Sequence, residues 1–211
     1  MKHSRPQTAV ALVAAWLVGA AILAGCGGHS RTRPAIVPVE TADVHASPTN
    51  LSTTVFQGMA LPVADQGPHH RDGPAATGFD HTPVGAALAA IHATVRMSVA
   101  DDGQWTLVGQ QMLAPGPGRD AWALARAQLS ITAPAAAPVP KVLGYQVTRY
   151  TSEQAVTAIY TLQPDTSLTR NTATVAWQHG DWKLLVPDPP RGPAVASLPV
   201  LPSDLIALPL R

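Results

Sequence analysis

Between residues 83 and 95 the apolar side chains Val84, Ala87, Leu88, Ile91 and Val95 return every three or four positions. That is the period of a helix with one buried stripe. Thr82 stands in front of it as an N-cap, and Pro83 takes the first helical position, where a missing N–H costs nothing. Gly85, Ala86, Ala89, Ala90 and Ala93 thin the flanks, so this helix can approach its neighbours closely. Trp105, Val108 and Met112 repeat at the same spacing up to the breaker Pro115-Gly116-Pro117-Gly118. A third helix is predicted over residues 119–131, with Trp122, Ala125 and Leu129 in register, and residues 134–140 read as a linker.

After the linker the period changes from helical to alternating. Residues 142–150, 154–162 and 169–178 are Thr-, Val- and Tyr-rich runs, and residues 181–186 follow the tight turn His179-Gly180-Asp181. Ala173, Val175 and Trp177 point to one face and Thr172, Thr174 and Gln178 to the other. A short β-prone run at residues 51–56 precedes a Gly/Pro/His-rich loop over residues 58–79. Helices first and an antiparallel meander last predict an α+β domain, helices packed on a curved antiparallel sheet, over residues 51–187.

The ends read differently. Residues 1–5 carry Lys2 and Arg5, and residues 9–24 are uncharged and rich in Ala, Val and Leu, the pattern of a secretory signal over residues 1–25. Its last residues, Leu23-Ala24-Gly25-Cys26, resemble the lipobox of bacterial prolipoproteins, which implies cleavage before Cys26 and lipidation of it. Cys26 is the only cysteine, so no intramolecular disulfide is open to it, and acylation would remove an exposed thiol. An uncleaved signal anchor is the alternative, and both place the rest of the chain on the outer face of the cell membrane. Residues 26–50 lack an apolar period and read as a flexible, disordered tether. Residues 188–211 set Leu198, Leu201, Leu205, Ile206, Leu208 and Leu210 among prolines. Such an extended tail needs a groove, on its own domain or on another subunit.

Charge narrows the partners. Lys plus Arg is 14 against 13 for Asp plus Glu, and no basic run exceeds Arg31-Thr32-Arg33, so nucleic acid is not expected. Eleven arginines against three lysines, with abundant alanine, is the bias of a GC-rich genome.

The order of elements resembles the cone-shaped fold of the nuclear transport factor 2 superfamily (cystatin-like in outline), and residues 175–184, VAWQHGDWKL, resemble its closing hairpin. GMALPVADQGP (residues 58–68) and GFDHTPVGAALAA (residues 78–90) are similar to segments of uncharacterised actinobacterial exported proteins, some associated with conjugative elements. The likeness spans about residues 55–187 and implies no assigned chemistry.

No nucleophile elbow, zinc-type Cys pair, His-Glu-x-x-His or phosphate loop occurs, so no catalytic residue, metal or cofactor is assigned. His69-His70 with His81 could form part of a metal site, but adjacent histidines in an extended loop point apart and no third ligand has local spacing, so a solvated loop is the plainer reading. His92 lies beside the apolar stripe, where a cone cavity would bring Asp80, Asp101, Tyr145 or Tyr160 to it in the manner of a ketosteroid isomerase. A hydrogen-bonded helix-flank histidine is the plainer alternative. Trp105, Trp122, Trp177 and Trp182 fit predicted core faces better than a binding surface. The resulting expectation is a lipid-anchored, non-enzymatic binding or assembly component with an extracytoplasmic protein partner. An isomerase-like or small-molecule-binding protein is the alternative.

Overall fold

A computed structural model describes residues 42–71, 73–189 and 195–210. The signal sequence, Cys26 and most of the tether lie outside the described residues. The expected class is present: three helices and antiparallel strands, α+β.

Helix α1 (Pro83–Val99) starts as its sequence requires, Thr82 Oγ1 accepting the Gly85 N–H at 3.1 Å. It is buried on all sides from Pro83 to Ala93 rather than along one stripe. The alanines explain this, because they let α1 sit against a sheet, a second helix and a hairpin at once. Gly85 is obligatory there: a Cβ would stand 2.1 Å from the Asp80 carbonyl oxygen. Helix α2 (Trp105–Met112) buries Val108 and Met112, and α3 (Pro117–Arg126) crosses it with Trp122 against Gly109 and Trp105. The third helix therefore begins and ends earlier than the sequence pattern indicated. Buried Arg126 closes it, donating to the Ala100 carbonyl at 2.9 Å and to Asp102 Oδ1 at 3.0 Å.

Strands β1 (Ser52–Phe56) and β2 (Met59–Val63) pair as a hairpin. Strand β2 lies inside the segment read as a loop. Met59, Leu61 and Val63 are buried there, but Pro62 and the flanking glycines disguised the alternation. Residues read as tether also pack: Val44, Ala46 and Leu51 rest on the core, and Thr49 and Asn50 bond Asp65 at 2.9 and 2.7 Å. Short apolar residues spaced between polar ones gave no period to detect.

The meander is β3 (Lys141–Tyr150), β4 (Gln154–Leu162), β5 (Leu168–Gln178) and β6 (Asp181–Leu185), with all pairs antiparallel. Cross-strand partners share a face, so Tyr145, Ile159, Thr157, Ala173, Val175 and Leu184 form one buried surface, against which α1 packs. Gly144, Tyr160 and Arg170 belong to the opposite surface.

The tail finds its groove on its own domain. Strand β7 (Val195–Leu198) pairs β5 on the edge away from β4, whereas β8 (Ile206–Ala207) pairs β3 at the far edge of the sheet. Residues 199–205 thus cross the face that carries Tyr160, a strap laid over the sheet. Gly144 permits the crossing, since a Cβ there would meet the Ile206 carbonyl oxygen at 2.3 Å and the Leu205 side chain. Ile206 and Leu208 are buried, and Leu208 N–H donates to the Leu143 carbonyl at 2.8 Å.

Candidate functional site

The residues expected to share a cavity are held apart. His92 is fully buried in α1, its Nε2 donating to the Pro62 carbonyl at 2.7 Å while Nδ1 accepts from Arg96 Nε at 3.4 Å. Arg96, also buried, donates to the Pro74 carbonyl at 2.7 Å and lies over the Phe56 ring at 4.2 Å. Burial lowers the His92 pKa to about 3, so the ring is neutral at ordinary pH and ties the helix to β2. Burial likewise brings the Arg96 guanidinium down to about 10. Tyr145 is fully buried on the helix side of the sheet, and burial raises its pKa. Tyr160 is on the other side, beneath the strap, and donates to Gln146 Oε1. One residue of register separates the two faces, so these tyrosines cannot converge. Asp101 accepts from Gln57 Nε2 at 2.8 Å and caps the turn before α2. Asp80 faces His69 at 3.0 Å, with both side chains half-exposed.

What the structure does assemble is a clasp around residues 78–85, the segment noted above for its likeness to exported proteins. Asp181, 7% exposed at the start of β6, accepts the N–H groups of Gly78 and Phe79, each at 3.0 Å, and its own neighbour Trp182 N–H at 2.9 Å. Lys183 Nζ lies 3.3 Å from its second oxygen. The Trp182 indole donates to the Asp80 carbonyl at 2.9 Å. His81 stacks on Trp177 with centroids 4.0 Å apart and bonds the Ser152 carbonyl, while Tyr150 donates to the His81 carbonyl at 3.2 Å. Trp182 is buried and Trp105, Trp122 and Trp177 are half-buried against the core, so the four indoles pack rather than form a platform. Of the three noted histidines, His69 pairs Asp80, His81 stacks on Trp177 and His70 lines a groove. Among the described residues no group of three or more His, Cys, Asp or Glu is placed to hold a metal.

Among the described residues, two of the surface concavities bear on the site. The smaller, about 110 Å³, lies between residues 44–45, β3 and the strap, where His45, Gln146 and Asp204 meet Val147 and Ile206. The larger, about 500 Å³, is an open groove between the β5–β6 turn, the loop carrying His70 and the end of α2. Asp181, Gln110, Gln111 and His179 were not singled out from the sequence. A carboxylate directly before a core tryptophan at a β-turn was the available signal for Asp181. Nothing local marked the glutamines.

Residues 19–203, most of the chain, match the domain of unknown function DUF8175, and the chain belongs to that family. No curated protein and no solved structure matches it. Among the described residues no helix is long and apolar enough to cross a membrane.

Proposed function

We propose that this chain is a lipid-anchored lipoprotein of the outer face of the cell membrane, whose domain acts as a non-enzymatic binding or assembly component. The setting we favour is a conjugation or secretion apparatus, with an extracytoplasmic protein as partner and the helices-on-meander domain as a nuclear transport factor 2-like cone. The observation that carries the anchor is Leu23-Ala24-Gly25-Cys26 ending an uncharged run, with Cys26 the sole thiol. Support for the non-enzymatic role is that two buried polar side chains, His92 and Asp181, are committed to holding helix, hairpin and loop together. Metabolic labelling with a fatty-acid analogue tests the anchor: the native chain takes up label and Cys26→Ala does not. Label retained by Cys26→Ala would refute it.

A second reading, an isomerase-like or small-molecule-binding protein, is favoured by one feature. The buried hydroxyls of Tyr145 and Thr157 share the helix-side face and have no hydrogen-bond partner among the described residues. Native mass spectrometry of the purified protein, with a retained small molecule that Tyr145→Phe abolishes, would support it.

A further inference from the structure

The larger groove has an unusual lining. His70, Thr77, Gln110, Gln111 and His179 all face it, and none of their side chains has a partner among the described residues. The two charged residues beside them are spoken for: Lys183 Nζ bonds the Gln111 carbonyl and lies 3.3 Å from Asp181, whose carboxylate holds the clasp. The groove therefore offers no unpaired Lys, Arg, Asp or Glu among the described residues. No apolar side chain lines it either.

That combination selects among ligand classes. Apolar small molecules need a mostly apolar lining, and peptides are held by apolar or aromatic anchors. A free anion needs an unpaired cation. Carboxamides, imidazoles and a hydroxyl instead each present donor and acceptor together, the same dual character as a sugar hydroxyl. The imidazole faces add flat surfaces for sugar C–H groups. The groove is open and broad, about 500 Å³.

We propose that this groove is a carbohydrate-binding site, which takes an uncharged, hydroxyl-rich saccharide through Gln110, Gln111, His70 and His179. The inference rests on the binding-component reading above and names its ligand class. It also gives the clasp a second consequence, because Asp181 positions the loop that forms one wall.

The test is saturation-transfer difference NMR on the full-length protein in detergent, with chitotetraose and maltotetraose as probes and inorganic phosphate as a competitor. Saturation transfer to at least one saccharide is expected, unaffected by phosphate. Gln110→Ala combined with Gln111→Ala weakens that binding about tenfold or more. These side chains are exposed, so an unchanged thermal melt is expected, and His179→Ala supplies an independent variant should the double variant melt early. Transfer to neither saccharide, transfer that survives both variants, or displacement by phosphate would each overturn the proposal. Labelling at Cys26 reads the anchor separately, so a labelled protein that binds no saccharide sinks this inference and leaves the anchor standing.

Discussion

Replacing Asp181 with alanine strips the acceptor from three backbone N–H groups: that of its neighbour Trp182, and those of Phe79 and Gly78 in a loop 102 and 103 residues distant in sequence. Phe79 is 3% exposed, so water cannot replace the lost bond without opening the loop. A buried donor left unpaired costs about 1–3 kcal/mol, so three of them, one only part-buried, predict a loss of roughly 5 kcal/mol. Asp181→Asn keeps one acceptor oxygen but turns an amide toward one donor, and should lose about half as much. Urea unfolding followed by tryptophan fluorescence reads both, since Trp177 and Trp182 flank the clasp. Asp65→Ala, which removes bonds to exposed Thr49 and Asn50, serves as the comparison and should cost under about 1 kcal/mol. An Asp181→Ala loss no larger than that of Asp65→Ala would refute the reasoning and reduce the clasp to incidental contacts.

Two further outcomes are expected. His92 titrates near 3 in the folded chain because it is desolvated, against about 6.5 when unfolded, so the unfolded state binds the extra proton between those values. Stability attributable to it is complete above about pH 6.5 and drains as pH falls toward 3; between pH 7 and 5 the native protein should lose about 2 kcal/mol relative to His92→Gln. A gap between the two that does not change with pH would contradict a buried neutral ring. Deleting residues 195–211 removes β7 and β8 together with the buried side chains of Ile206 and Leu208 and exposes the apolar surface they cover, which predicts a loss of about 3–6 kcal/mol and binding of hydrophobic dyes. Unchanged stability and no dye binding would show that the strap is not bound to the sheet in solution.

Periodic signals were faithful over α1 and β5 but not around α3, where Ala125 and Leu129, in register with Trp122, are exposed. Thr82, Pro83 and the stripe beneath them located α1, and the alternation Ala173, Val175, Trp177 placed β5 with the correct face inward. Where a residue serves a distant partner, period says nothing: Pro62 looks like a loop residue, yet its carbonyl is the acceptor for His92, thirty positions on. The tail shows the same limit. Its leucines announced that they needed burial, but only the pairing of β5 and β3 decides where. For the site, histidine and tyrosine drew attention because they do chemistry elsewhere, although parity put Tyr145 and Tyr160 on opposite faces. Glutamines 110 and 111 were silent, because an exposed carboxamide is common on any helix.

The strap carries a consequence for how the molecule comes into being. A polypeptide is made from its N-terminus, and β8, which finishes the β3 edge, and β7, which covers the first residues of β5, follow every other strand of this sheet. Until they emerge, the outer rims of β3 and β5 have nothing to pair with there and Tyr160 has no cover. Completion of the sheet thereby waits for residues 195–207. A chain cut before residue 195 would keep raw edges, open to proteolysis and to pairing with other nascent chains.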